Sequence, residues 1–244
     1  MSAFTPAKIR ASIRRTLTAP ARVTTSRREI TGRLDRRALV GAKLGRTDVM
    51  VQRRLYPARD CTVALYLDCS GSMGDVREAK KRGTYRWTKN TVYRWDKVAT
   101  AAFWIALAVQ QSGARLHVAH WSSFVRPVLS PGQRLTPAHL ENFRDRRWIG
   151  GGTEGALAVH DATLRLSAER TARRVLIVMT DGESNDTDAL PYIIADAERA
   201  GIEVHVIGLE CYASQYWPKR VTRDVLNLAD LPKVLGEILA PGAA

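Results

Sequence analysis

The stretch Thr62-Val63-Ala64-Leu65-Tyr66-Leu67-Asp68-Cys69-Ser70-Gly71-Ser72-Met73 decides the fold. Its first six residues are apolar, aromatic or β-branched, too few for a helix, and they run straight into Asp68. A short run of this kind predicts a parallel strand buried on both faces. An aspartate at its end predicts that the strand delivers a functional loop. The residues that follow put one carboxylate and two hydroxyls, Asp68, Ser70 and Ser72, at alternate positions around Gly71. Alternate residues of a tight turn can point the same way, so three hard oxygen donors are expected to converge.

Working outward, residues 97–111 carry apolar side chains at Val98, Ala101, Ala102, Ile105, Ala108 and Val109. This spacing predicts a helix with one apolar stripe, stopped by Gly113. Residues 115–122 and 124–130 read as two strands with almost no loop, a hairpin at a sheet edge. Residues 154–168 are helical in pattern. Arg174-Val175-Leu176-Ile177-Val178-Met179 is a second central strand, ending on Thr180-Asp181-Gly182. A helix over 190–200 stops at Gly201, a third strand covers 203–209, and a closing helix covers 231–239. Strands alternating with helices predict an α/β fold: a doubly wound, mostly parallel sheet flanked by helices. Such sheets bind ligands beyond the carboxyl ends of their strands, at the point where the strand order reverses. Two of the strands end on an aspartate, Asp68 and Asp181.

Between these strands lies Trp148-Ile149-Gly150-Gly151-Gly152-Thr153-Glu154, a glycine loop able to present Thr153 at a helix N-terminus. The candidate metal ligands are therefore Asp68, Ser70, Ser72, Thr153 and Asp181. Two carboxylates and three hydroxyls are hard donors suited to Mg²⁺ or Mn²⁺. They leave the ion short of ligands and charge, so a partner's Asp or Glu can complete its shell. The plainer reading has Ser70 and Ser72 capping a helix and Asp181 opening a turn. Three motif pieces in one order, two of them at strand ends, weigh against it.

The segments Leu65–Met73, Gly151-Gly152-Thr153 and Val178–Gly182 together resemble the von Willebrand factor A family and its metal-dependent adhesion site. Within that family the chain is similar to the A-domain of the cobaltochelatase CobT subunit over roughly residues 25–240. That likeness rests on Thr31-Gly32-Arg33-Leu34-Asp35 with Val51-Gln52-Arg53-Arg54, on Val206–Leu209 with Tyr212–Trp217, and on Val225–Leu231. The resemblance implies a Rossmann-like fold and a non-catalytic adaptor for a AAA+ ATPase of the CobS or MoxR type, in a chelatase or remodelling complex. The chain has no GxxxxGK[ST] phosphate loop, so ATP hydrolysis would belong to that partner.

With 45% hydrophobic and 25% charged residues the composition is globular, and no apolar run approaches the length of a membrane span. Cys61, Cys69 and Cys211 are too few and scattered for a disulfide framework, and no secretory signal is read at the N-terminus, so a cytoplasmic protein is expected. Residues 1–59 are read as a basic extension and 60–244 as the A-type domain, with an insert at about 75–96. Residues 1–60 hold fifteen Lys or Arg against four acids, which together with the Tyr/Trp-containing insert raises a second reading as a nucleic-acid-binding protein. Short helices are expected there near Pro6–Leu17 and Arg33–Leu44. The insert interleaves basic residues with Tyr85, Trp87, Tyr93 and Trp95, which join Glu154 as a candidate partner surface. A third reading, a metal-dependent phosphatase with Asp68 as nucleophile, lacks a general acid, because Ser70 stands where a second Asp would be needed. His117 and His120 are expected on opposite faces of one strand, and all five histidines are read as structural.

Overall fold

The computed structural model describes residues 61–74, 94–136 and 138–239, together with strands at 22–29, 33–34 and 50–56 and with Lys43. The decisive run forms β4 (Cys61–Asp68), after the N-terminal strands β1 (Arg22–Glu29), β2 (Arg33–Leu34) and β3 (Met50–Tyr56). Then follow α1 (Arg94–Gln111), β5 (Arg115–Trp121), β6 (Val125–Leu129), α2 (His139–Phe143) and α3 (Gly155–Ser167). The chain continues through β7 (Arg173–Thr180), α4 (Leu190–Arg199), β8 (Ile202–Leu209), β9 (Thr222–Val225) and α5 (Leu231–Leu239).

Strands β4 to β9 form a six-stranded sheet in the order β6-β5-β4-β7-β8-β9. All pairs are parallel except β5 with β6. The expected hairpin is thus the antiparallel edge of an otherwise parallel sheet. From β4 the chain crosses to β5 on one side; from β7 it crosses to β8 on the other. The β4–β7 junction is therefore the switch point, and both strands ending on or beside an aspartate flank it.

Alternating residues of β4 explain the two-layer packing. Val63, Leu65 and Leu67 join the core beneath α1 and α5, while Ala64 and Tyr66 join the core beneath α3 and α4. Both faces are covered, which is why β4 reads as an unbroken apolar run. Leu65 has no exposed surface, so trimming it to Ala is expected to cost about 2–5 kcal/mol. Along α1, Val98, Ala101, Ala102, Ile105 and Val109 are buried, as the stripe predicts.

Both edges of the sheet are short. At one edge Pro127 of β6 stands opposite Ala119, beside a register shift between Val118 and Ala119. At the other is β9, four residues (Thr-Arg-Asp-Val) with no apolar run to betray them. Among the described residues no helix is long and apolar enough to cross a membrane.

The N-terminal strands correct only the start of one expected helix, that of Arg33–Leu44. β1 and β2 both pair antiparallel with β3, in a three-stranded sheet of order β1-β3-β2. Val23, Thr24 and Thr25 favour extended backbone, but basic residues obscure the alternation that would reveal it. The expected Arg33–Leu44 helix begins on β2, though Lys43 is helical; the Pro6–Leu17 helix lies outside the described residues.

Candidate metal centre

Three loops meet above the carboxyl ends of β4 and β7. The first leaves β4 through a 3-10 turn, Gly71–Gly74, and carries Ser70 and Ser72. The second is the glycine loop that leads into α3 and carries Thr153. The third follows β7 and runs from Asp181 to Asp186. Backbone hydrogen bonds stitch them together. The N–H of Gly150 donates to the carbonyl of Cys69 at 2.9 Å, and that of Asn185 to the carbonyl of Thr153 at 2.8 Å.

Glycines are needed where the second loop packs against its neighbours. Gly151 adopts φ +82°, a left-handed conformation that disfavours other residues. At Gly152 a Cβ would come within 2.6 Å of the Asn185 amide nitrogen.

A cavity of about 600 Å³ opens over the junction, with Ser70, Ser72, Thr153 and Asp181 on its wall. Ser70 Oγ and Ser72 Oγ share a 3.0 Å hydrogen bond, and Ser72 Oγ donates to Asp181 Oδ1 at 2.9 Å. Asp68 lies behind these hydroxyls and is fully buried. Its Oδ1 accepts from the Ser70 N–H at 2.8 Å, and its Oδ2 from the Thr180 hydroxyl at 2.7 Å. Burial, reinforced by the nearby negative charge of Asp181, pushes the Asp68 carboxyl up to about 7. A buried carboxylate facing a second one favours an arriving cation. Next to Asp68, the buried Cys69 donates its thiol to the Trp121 carbonyl of β5 at 3.2 Å.

All five expected donors are thus assembled around one junction, four on the cavity wall and Asp68 behind it. Among the described residues no group of three or more His, Cys, Asp or Glu forms a metal cluster. The oxygen set here is mostly hydroxyl, and its fit to an ion rests on spacing. Neighbouring ligands of an octahedral Mg²⁺ at about 2.1 Å lie about 3.0 Å apart. The Ser70–Ser72 and Ser72–Asp181 separations match that spacing.

Several supporting residues were not singled out in the sequence. Thr180 orients Asp68. Ser184 Oγ donates to Asp186 Oδ1 at 2.6 Å and accepts from the Gly155 N–H at 3.2 Å, while Asp186 Oδ2 accepts from the Ala156 N–H at 2.8 Å. Glu154, the residue before α3, makes no side-chain cap of its own. The orphan donors at the start of α3 are therefore satisfied from the third loop. Glu183 and Glu210 line the cavity on the side formed by Tyr212 and Tyr216. The cue available in sequence was the polar run Glu183-Ser184-Asn185-Asp186, which follows Asp181-Gly182.

The partner surface fares differently. Trp95 is fully buried in the first turn of α1, edge-on to His120 with ring centroids 5.0 Å apart, so it is a core side chain and not a contact residue. Its apolar ring is held where α1 meets β5. Tyr85, Trp87 and Tyr93 lie outside the described residues. Glu154 sits beside the cavity, its Oε1 3.5 Å from the Asn185 amide nitrogen.

Comparison with known proteins agrees with this geometry. The family model for the von Willebrand factor type A domain matches residues 62–229. The human collagen alpha-5(VI) chain is 36% identical over 78 residues, which cover 30% of this chain and 3% of that one. The solved von Willebrand factor type A protein from Catenulispora acidiphila superposes with a TM-score of 0.51 at 17% identity, over 78% of this chain and 43% of that one. Proximal thread matrix protein 1 from the mussel byssus, solved with a zinc-occupied MIDAS motif, gives 0.52 at 15% identity, over 73% and 44%. At these identities the two structures speak for the fold. The chain spans only a small part of the curated relative and under half of each solved one.

Proposed function

The chain belongs to the von Willebrand factor type A domain family, and from that premise we propose that it is a non-catalytic module that captures a partner's acidic side chain through a bound divalent cation. Domains of this family are typically metal-dependent protein-interaction modules. One observation carries the reading: three hydroxyls and Asp181 line one cavity at the switch point, with Ser70, Ser72 and Asp181 at ligand-like spacing and the buried Asp68 behind them. Ser70, Ser72, Thr153 and Asp181 face the ion, and Asp68 supplies negative charge from beneath. The ion is Mg²⁺ or Mn²⁺, because oxygen-only donors suit hard cations. A carboxylate from the partner supplies the ligand and the charge that the neutral hydroxyls do not.

Isothermal titration calorimetry with Mg²⁺ and with Mn²⁺ tests the site. Saturable binding is expected in the native chain and is lost in Asp181→Ala; heats unchanged by that substitution would overturn the reading.

The partner we propose is a AAA+ ATPase of the CobS or MoxR type, with the chain as adaptor in a chelatase or remodelling complex. What supports it is the CobT-like pattern of residues 31–35, 51–54 and 212–217. Co-elution with such an ATPase should require Mg²⁺, and an intact complex in excess EDTA would sink the idea. A second reading rests on the basic segment 1–60, with fifteen Lys or Arg against four acids. Nucleic-acid binding through it predicts steeply salt-dependent affinity that disappears when the segment is removed. The phosphatase reading finds no support, since Asp68 is fully buried behind the hydroxyls, where a nucleophile has no access.

A further inference from the structure

We infer that a second, separate site exists beside the β5–β6 hairpin: a pocket for a small oxyanion, the size of a carboxylate or a phosphate, held by Arg126 and His120. A cavity of about 140 Å³ lies there, between the hairpin and the turn that follows α2, with His120, Arg126, Asn142, Asp145, Arg147 and Trp148 on its wall. It belongs neither to the metal centre nor to its family motifs, and nothing in the proposed function rests on it.

Three nitrogens on its wall are without hydrogen-bond partners. Nη1 of Arg126 and both ring nitrogens of His120 are buried and make no hydrogen bond. His120 is fully inside, and its position opposite Arg126 in the β5–β6 register puts both side chains on one face of the hairpin. Native proteins rarely leave such groups unpaired, because each costs its full desolvation penalty. An unpaired guanidinium nitrogen is the most telling of them, since its donors form a rigid fork matched to carboxylate and phosphate oxygens.

The Arg126 guanidinium is also held in place. It stacks over the Trp148 ring, 3.4 Å from its centroid. Trp148 is in turn fixed by its indole N–H, which donates to Asp145 Oδ2 at 3.0 Å. The side chain is therefore aimed before any ligand arrives.

The charge balance selects an anion. Asp145 faces the same pocket and would repel one, but its carboxylate is already taken up by Arg147 at 2.7 Å and by Trp148. Burial, and then the positive charge of Arg126, pull His120 down to about 4, so it is neutral near pH 7 and offers one donor. With Arg126 and Arg147 positive and Asp145 negative, the wall carries a net charge of about +1. The volume equals that of roughly four to five waters in the liquid. That admits a carboxylate or phosphate and excludes a nucleotide.

The test uses the full chain in EDTA at constant ionic strength, so that failure of the metal reading does not bear on it. Inorganic phosphate and sodium acetate are titrated separately while NMR follows the His120 ring and the Trp148 indole N–H. Saturable shifts at both residues are expected with at least one of them, and the one that saturates says which oxyanion the pocket takes. Arg126→Gln should weaken the effect by about tenfold or more. Should that variant not fold, Arg126→Lys keeps the charge but loses the fork, and the same weakening is expected. Asp181→Ala should leave the titration unchanged. No saturation with either anion, or saturation that survives both Arg126 variants, overturns the proposal.

Discussion

The hydroxyl of Thr180, the last residue of β7, donates a 2.7 Å hydrogen bond to the Oδ2 of Asp68, the last residue of β4. The two central strands therefore share the carboxylate at their junction. Thr180→Val keeps the shape and removes the donor, leaving a buried charge with one partner fewer. It is expected to destabilise the fold by about 1–3 kcal/mol in urea titrations. Mg²⁺ affinity at pH 7 should fall with it, because the carboxylate becomes harder to ionise. A variant that binds Mg²⁺ like the native chain would show that this bond does not serve the site.

The same carboxylate sets a pH dependence in the metal-free protein. Burial, with Asp181 nearby, raises Asp68 in the fold to about 7 from an ordinary value of 3.8. The native state then binds more protons than the unfolded one between those values, so stability falls as pH rises through that window. Thermal midpoints in EDTA should drop from about pH 4 to about pH 7, and Asp68→Asn should flatten that slope. Mg²⁺ competes with the proton for the ionised carboxylate, so its binding should strengthen as pH rises through about 7.

Ser184→Ala tests the cap that the third loop provides to α3. The hydroxyl lost is the one that joins Gly155 to Asp186. A cost of about 1–2 kcal/mol is expected. Amide hydrogen exchange at Gly155 and Ala156 should quicken while exchange in β7 stays slow. Equal protection in both variants would assign the cap elsewhere.

Gly155→Ala should be harmful for steric reasons alone. Its Cβ would lie 2.7 Å from the Trp217 ring and 2.6 Å from the Ser184 hydroxyl. Overpacking of this kind costs about 1–3 kcal/mol, read from denaturant midpoints. The Trp217 emission should shift in the same variant, because the ring must give way.

Legibility followed local physics. β4 was readable because an unbroken apolar run ending on Asp68 suits only a strand covered on both faces, and Ser70 and Ser72 were readable because their spacing is local. The strands β1 and β3 were not, since their basic residues hide a pairing made by backbone groups. β9 has four residues, two of them charged, and exists because β8 offers it a parallel edge. Trp95 looked like part of an exposed basic-aromatic stretch, yet the apolar stripe of α1 begins one turn earlier than its pattern suggested and draws the ring inside. The bonds from Thr180, Ser184 and Asp186 join positions some thirty to a hundred and twelve residues apart, a relation no sequence spacing encodes.

Pro127 has a consequence beyond the hairpin. It sits in the outermost strand, where it has no N–H to offer, next to the register shift opposite it. One flank of the sheet therefore presents an interrupted ladder to any strand approaching from outside, and the other flank is only four residues long. The proposed function places partner capture at the upper rim; the sides, by contrast, are guarded against edge-to-edge pairing between copies and so against fibre-like self-assembly.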